Sequence, residues 1–353
     1  MLGYYGFGNL GDEAVLAGLL AALRARLPEA LVAVLSADPQ ATTRMHGVSA
    51  LPRGPAEIWR ALRGARMLVC GGGSLVQDVT SARSALYYLG AMQAASWRRV
   101  PVAVIGQGIG PLRRAWIRRL AGRAFSQARV ISVRDAESAQ TLRELGVRPV
   151  VHLGADLALL APAADPGQVQ ERIRREGLDR APIRIGVATR AWPGMREPEE
   201  LGRGIGRFAD MVGARVAIFP FDRSRDGEIS RTVARAAAGR VVEVETPAEL
   251  MGLVAAMDLM VAVRLHGLIF AAAGGVPAVA LAYDPKVTAF AAEIGLPGPL
   301  PVDCTGLGLA EAIARAWDGR ASLRSRAQAA YPGLRSRALA SVDLLASVLN
   351  GRA

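Results

Sequence analysis

Two side chains carry the sharpest chemical signal in this 353-residue sequence, His266 and Lys286. Of its 43 lysines and arginines, Lys286 is the only lysine. An ammonium is a compact point charge with rotatable donors, whereas a guanidinium is a planar fork that stays protonated. A site that needs the first cannot take the second; the plain alternative is a chance survivor of a composition biased toward Arg, Ala and Gly. His266 is one of three histidines. It follows the apolar run LMVAVR (259–264) and opens a helical stretch, where capping or packing is its alternative role. Lys286 follows the next strand, PAVALAY (277–283), in a Tyr-Asp-Pro-Lys turn. Adjacent parallel strands end on the same side, so one pocket is expected to receive both. His46 reads as a loop residue before the third strand, and His152, inside a strand, as a satisfied core histidine.

Three arginines also stand at strand ends: Arg134 in SVRD, Arg190 in ATR and Arg264 in VRLHG. Such bidentate donors suit a carboxylate or a phosphate, although Arg264 could instead pair within its own turn. Two glycine-rich segments follow strands as well. In GYYGFGNLGDEAVL (3–16) a short strand enters a turn that contains Asn9, and Asp12-Glu13 open a helix whose N-terminus favours an anion. The spacing Gly6, Gly8, Gly11 spells a dinucleotide fingerprint. That reading is disfavoured by the short polar strand before it and by the acids just after the third glycine. Asp12 and Glu13 could equally serve only as partners of the helix dipole. In CGGGSLVQD (70–78), Gly72, Gly73 and Ser74 can build a nest of amides around an anion or a sugar; no P-loop lysine accompanies them. GQGIGP (106–111) reads as a third turn that allows close backbone approach.

These residues need a scaffold that delivers strand ends together. Short β-branched runs alternate with amphipathic stretches: strands are expected at 31–36, 66–71, 101–106, 129–134 and 150–154. After a Pro/Ala/Asp-rich stretch (160–167) they resume at 183–190, 215–221, 240–245, 259–264 and 277–283. Strands separated by helices imply parallel sheets and right-handed crossovers. The expected fold is α/β: two Rossmann-like domains (1–160 and 175–321) with parallel sheets facing a cleft that holds the substrate, and a C-terminal helical segment (322–353) returning to the first. Half the residues are apolar, enough for two cores, and the net charge is +12. The basic residues are spread through helices, as in RRAWIRRLAGR (113–123), which suits a phosphate-bearing substrate or anionic lipid. Aromatics are sparse, so no base-stacking platform and no nucleic-acid partner are expected. Cys70 and Cys304 lack metal-ligand spacing, and both read as buried residues of a reducing compartment. Neither a signal peptide nor an apolar span of membrane length is evident. A cytoplasmic protein is expected, at most peripheral at the inner face of the cell membrane; no sequence signal speaks to oligomeric state.

Taken in order, GYYGFGNLGDE, GGGSLVQD, GQGIGP, SVRD, RLHG and YDPK resemble the motifs of the polysaccharide pyruvyl transferases, closest to the CsaB type that acts on cell-wall polymer. The resemblance spans most of the chain. It implies a glycosyltransferase-B-like fold, phosphoenolpyruvate as donor substrate with no further cofactor and no metal, and a polyprenyl-diphosphate-linked saccharide as acceptor. The acceptor sugar would be N-acetylmannosamine, gaining a 4,6-ketal in a polymer that anchors surface-layer proteins. On that reading Arg134 and Arg190 hold the carboxylate and phosphate, with Arg264, Asn9, Gly72, Gly73 and Ser74 also binding substrate. Lys286 holds the phosphate, His266 is the general acid and Asp12 the general base. Only Met1-Leu2 precede the glycine loop where the family carries a fuller first strand: either the native start lies upstream or the first strand is clipped, a loss expected to be felt by folding of the first sheet more than by the chemistry. The competing readings are a nucleotide-sugar glycosyltransferase of the same fold and a non-catalytic polymer-binding protein.

Overall fold

The computed structural model describes residues 1–79, 81–192 and 197–351. The chain forms two compact units: one of residues 1–7, 12–161 and those from Leu334 onward, the other of Gly8–Gly11 and Pro162–Gly333.

The strands of the first unit are β1 (Ala33–Ser36), β2 (Ser49–Pro52), β3 (Leu68–Cys70), β4 (Gly73–Val76), β5 (Val102–Ile109), β6 (Val130–Val133) and β7 (Val151–Leu153). All pairings among them are parallel: β1 with β2, then β3-β5-β6-β7, with β4 beside the end of β5. A single residue joins the two sets. Leu2, fully buried, bridges Leu35 on one side and Cys70 on the other. Its N–H donates to Val69 O at 2.8 Å, and its carbonyl accepts from Gly71 N at 3.0 Å. Leu2 thus occupies the centre of the sheet as a single bridge residue. Strand order reverses there, between Leu2 and β3.

The second unit repeats the plan with β8 (Ile183–Thr189), β9 (Ala214–Pro220), β10 (Arg240–Val241), β11 (Leu259–Ala262), β12 (Ala278–Ala282) and β13 (Leu300–Pro301). Their order is β10-β9-β8-β11-β12-β13, all parallel, reversing between β8 and β11. In open parallel sheets, ligands bind outside the carboxyl ends of strands at such a reversal. β11 is buried at every residue because helices cover both faces, which is why its sequence is a continuous apolar run.

The helices begin where the sequence combines a capping side chain with proline. Asp38, Thr246 and Asp284 accept from Ala41 N, Glu249 N and Lys286 N, and Pro39, Pro247 and Pro285 supply the first turns. The last helix, Arg320–Leu349, passes through Pro332, and the boundary between units falls just beyond it. Its later part packs in the first unit, where Ser341 Oγ meets Ser132 Oγ at 2.6 Å over Gly154; a Cβ on Gly154 would lie 2.2 Å from Ser341 Oγ.

Several expectations change. β2 and β13 were not anticipated, since half-exposed SALP and a two-residue edge strand carry no apolar alternation. Most of GQGIGP is strand, not turn: β5 runs through Gly106 to Ile109, fully buried, and leaves only Gly110-Pro111 beyond it. Its glycines admit neighbours, because a Cβ on Gly106 would lie 2.7 Å from Leu157 and one on Gly108 2.7 Å from the Arg134 guanidinium. His46 ends the helix Pro39–His46 and is buried. His152 is exposed, since β7 is an edge strand with its side chains toward solvent. Cys70 is buried, its thiol pushed up to about 12 by burial; Cys304, beyond the edge strand β13, is only half-buried.

Candidate functional site

In the first unit, both glycine motifs leave the reversal point. The loop after Leu2 turns with Gly6 at φ 77° and Gly8 at φ 76°, conformations that strain any residue with a Cβ. Glu13 holds this loop from the helix Leu10–Arg26. Its Oε1 accepts from Gly6 N at 2.8 Å, and its Oε2 lies 2.8 Å from His46 Nε2 with both groups buried. Glu13 and His46 therefore form an internal strut.

Asp12, one residue earlier, is half-buried and faces the second motif: a Cβ on Gly73 would sit 2.9 Å from its Oδ1. Gly73 has φ 83° and starts β4, so the motif is a turn that becomes a strand. Gly72 admits Val15, which a Cβ would approach to 2.6 Å. Ser74 accepts from Arg134 Nη2 at 2.9 Å. Arg134 is buried and also pairs with Asp135 at 3.1 Å and Asp156 at 3.3 Å. Burial works against its charge, but the Asp156 and Asp135 carboxylates outweigh it and hold Arg134 above its ordinary value. Burial likewise opposes the charge of Asp135, yet Arg134 and the hydrogen bonds from Ser138 pull its carboxyl below the usual range. Asp12, the Gly-Gly-Ser turn and Arg134 are thus brought to one edge of this sheet.

The first unit also holds a cluster that sequence patterning did not reveal. The Phe7 ring stacks on Tyr4 at 4.1 Å, and the Arg53 guanidinium lies 4.7 Å from Phe7 and 4.3 Å from Tyr87. Phe7, raised between Gly6 and Gly8, is 38 % exposed. The signal was local: four of the chain's few aromatics are Tyr4, Phe7, Tyr87 and Tyr88, two of them inside the first glycine motif.

In the second unit, three adjacent strands each deliver a candidate at the carboxyl end. Arg190 follows β8, Arg264 and His266 follow β11, and Tyr283 to Lys286 follow β12. Arg190 Nη1 lies 2.5 Å from Tyr283 Oη, with its guanidinium 4.7 Å from that ring; Trp192 packs on the same ring at 4.3 Å. Lys286 Nζ lies 3.0 Å from Asp284, the residue that caps its helix. His266 is half-buried in the first turn of the helix Leu265–Ala273. Gly11 is held against it: a Cβ there would lie 2.1 Å from His266 Nδ1. The short segment Gly8–Gly11 is fixed to the same unit by Leu10 N donating to Phe221 O at 2.8 Å and by a bridge from Asn9 to Asp222. Asn9 Oδ1 itself accepts from Gly11 N at 3.1 Å.

Arg264 is engaged differently. It is buried, and its Nε and Nη2 each lie 2.6 Å from an oxygen of Asp226, with Nε also 3.3 Å from Thr189 O. Burial pushes the Asp226 carboxyl up, against the pull of Arg264. Asp226 was not foreseen, because it stands 38 residues away on a helix of ordinary charged composition. The pair ties the end of β11 to the helix that follows β9, and the contact with Thr189 O ties it to the end of β8.

No group of three or more His, Cys, Asp or Glu suited to a metal occurs among the described residues. The sequence profile of the polysaccharide pyruvyl transferases matches residues 9–285.

The chain belongs to that family. It is accordingly a transferase, and the matched span holds every candidate side chain in both units except Lys286, which falls one residue beyond. No curated protein matches the chain in sequence. Among solved structures, this polysaccharide pyruvyl transferase is similar to the UDP-GlcNAc 2-epimerase from Neisseria meningitidis bound to UDP-GlcNAc (12 % identity, TM-score 0.65, 99 % of each chain). It is also similar to a glycosyltransferase from Rickettsia africae (9 %, TM-score 0.63, 100 % of this chain and 98 % of that one). A third likeness is a transferase from Siraitia grosvenorii in complex with UDP (14 %, TM-score 0.61, 98 % of each). At these identities the likeness establishes the fold, which is that of the B-type glycosyltransferases.

Proposed function

We propose that this pyruvyl transferase moves the pyruvyl group of phosphoenolpyruvate onto a lipid-linked cell-wall saccharide and releases phosphate. The acceptor is N-acetylmannosamine, which gains a 4,6-ketal in a surface-layer anchoring polymer, as in the CsaB type. The observation that supports this most is the convergence of Arg190, His266 and Lys286 on three neighbouring strand ends of one sheet. Phosphoenolpyruvate is a small donor with two anionic groups, and that edge offers a guanidinium and an ammonium around an imidazole.

In the proposed reaction Lys286 and Arg190 hold the phosphate and carboxylate. His266 gives a proton to the methylene carbon, so that C2 gains cationic character and the methylene becomes a methyl. A sugar hydroxyl adds to C2 and yields its proton to Asp12. The C2–O bond to phosphate then breaks, the phosphate departs, and the second hydroxyl closes the ketal as its proton is taken up. One hydroxyl proton is balanced by the proton spent on carbon, and the other leaves with phosphate. Proton transfer by a positioned side chain of this kind contributes about 10²- to 10⁴-fold.

Two of the expected substrate contacts take other roles in this proposal. Arg264 is committed to Asp226, and we assign it to positioning the β11 turn that carries His266. Arg134, within its own carboxylate pair, holds Ser74 and so shapes the Gly-Gly-Ser turn. Phe7, with Tyr4 behind it, offers the acceptor sugar an apolar face on which to stack.

The test is phosphate release from phosphoenolpyruvate with and without a lipid-linked disaccharide. Acceptor-dependent release is the expected result; no release under either condition contradicts the proposal. A second reading has its own support: two of the similar structures hold UDP or UDP-GlcNAc, so a nucleotide-sugar glycosyltransferase would use the same fold. Under that reading a nucleotide sugar raises the thermal midpoint and phosphoenolpyruvate does not.

A further inference from the structure

The positive charge of this chain is unevenly placed. Residues 79–134 contain ten arginines and no aspartate or glutamate, and the whole chain has a net charge of +12. Two helices of this stretch, Ala82–Trp97 and Ala115–Ser126, are successive crossovers of the first sheet and pack against each other. Both begin at the carboxyl edge, the edge from which the two glycine motifs emerge.

At that end large apolar side chains face solvent. Trp116 is 45 % exposed, Leu120 38 %, Leu86 40 % and Val79 45 %. Trp116 and Leu120 are four residues apart and share one face of their helix. Arg83, Arg113, Arg119 and Arg123 are exposed around them. The buried face of the same helix is Ile117, Ala121, Ala124 and Phe125, so these outward apolar residues are surplus to the core. Among the described residues, Arg114 pairs with buried Asp78 at 3.7 Å and Arg118 with Glu144 at 3.6 Å. Asp78 also accepts from the backbone N–H groups of Arg113 and Arg114 at 2.7 Å each, which pins the start of this face.

We infer that this face is a membrane-docking surface for an anionic bilayer, with Trp116, Leu120, Leu86 and Val79 entering the headgroup region and Arg83, Arg113, Arg119 and Arg123 lying on the lipid phosphates. Charge and side-chain type fit a lipid surface: Arg on the polar rim and Trp and Leu at the centre is the pattern of interfacial helices, and no acid in the stretch opposes it. The commonest alternative, a second copy of this chain, would set Arg83, Arg113, Arg119 and Arg123 against their own copies if the same faces were to pair. No helix among the described residues is long and apolar enough to cross a membrane, so attachment here is lateral. The inference deepens the lipid-linked acceptor reading, since it sets the membrane at the edge where the Gly-Gly-Ser turn lies, but vesicle binding is read without donor or acceptor.

The experiment is co-sedimentation of the full chain with vesicles of phosphatidylglycerol and phosphatidylcholine, against vesicles of phosphatidylcholine alone. The expected result is binding to the anionic vesicles that weakens as salt rises. W116S/L120S is expected to weaken it by about tenfold or more, and R113Q/R119Q/R123Q by about a hundredfold, from the usual contribution of each basic residue near an anionic surface. Thermal melts and phosphate release with a water-soluble acceptor should match the parent for both variants. Absence of vesicle binding by the parent, or undiminished binding by both folded variants, overturns the inference. A concentration-dependent dimer that is lost in W116S/L120S and unaffected by vesicles overturns it in favour of self-association. Vesicle binding together with no phosphate release would leave this surface standing and remove the pyruvyl-transfer reading.

Discussion

The two halves share a strand plan and furnish it in opposite ways. In each, strand order reverses beside the first strand of the sheet, at Leu2 in one and β8 in the other. Around the first reversal stand glycines, Gly6, Gly8 and Gly73 at positive φ, with Asp12 beside Gly73 and the stacked Phe7 between Gly6 and Gly8. Its arginines are engaged: Arg134 is neutralised by two carboxylates, and Arg53 lies over the rings of Phe7 and Tyr87. Around the second reversal stand Arg190, His266 and Lys286. Backbone and an aromatic face suit a large, mostly neutral sugar, whereas convergent cations suit a small dianion. The same topology can therefore serve acceptor and donor, because the residues just past the strand ends differ between the two sheets.

Substitutions can break that division or sharpen it. The largest effect is expected from His266→Ala, a loss of about 10³-fold or more in turnover with an unchanged melting curve; steady-state phosphate release measures it. Near-normal activity would remove the acid from the second half. Next is Asp226→Ala, which strands the buried Arg264 charge. Losing one partner of such a pair costs about 3–5 kcal/mol, read by chemical denaturation, and Asp226→Asn should recover part of it. Lys286→Arg is expected to lower kcat/KM for phosphoenolpyruvate by roughly a hundredfold although the charge is kept, because a planar fork cannot reproduce a point charge. A fully active variant would dissolve the contrast between the lone lysine and the surrounding arginines.

The smallest effect belongs to the first half. Asp135→Asn keeps a helix-capping side chain and removes a carboxylate that Arg134 holds below its ordinary value. A depressed carboxyl stabilises the fold above its unfolded value, and that contribution fades as pH falls through the folded one. The parent should exceed the variant by about 1 kcal/mol at neutral pH, and the two unfolding curves should converge in acid. Convergence in the opposite direction would mean that Asp135 does not support Arg134.

The sequence made the repeated strand–helix plan plain, because β5, β6, β8, β9, β11 and β12 are apolar runs long enough to read. It also put His266, Lys286 and the three arginines at strand ends, since each comes soon after its run. What it hid were partners distant in sequence. Asp226 and Asp156 sit on ordinary-looking segments, and only packing shows that they claim Arg264 and Arg134. The Glu13–His46 strut was hidden for the same reason, as it joins residues 33 apart through the interior. GQGIG misled in the other direction: glycines that normally punctuate a chain here make room inside a strand for Leu157 and Arg134.

The lone lysine allows one direct measurement of where the donor binds. Acylation of the full chain with an amine-reactive reagent, with peptide mapping afterwards, reports on Lys286 alone among the side chains. Saturating phosphoenolpyruvate should protect it, while UDP-GlcNAc at the same concentration should not. Unchanged labelling with phosphoenolpyruvate, or protection by the nucleotide sugar instead, would contradict a donor site built on the second half.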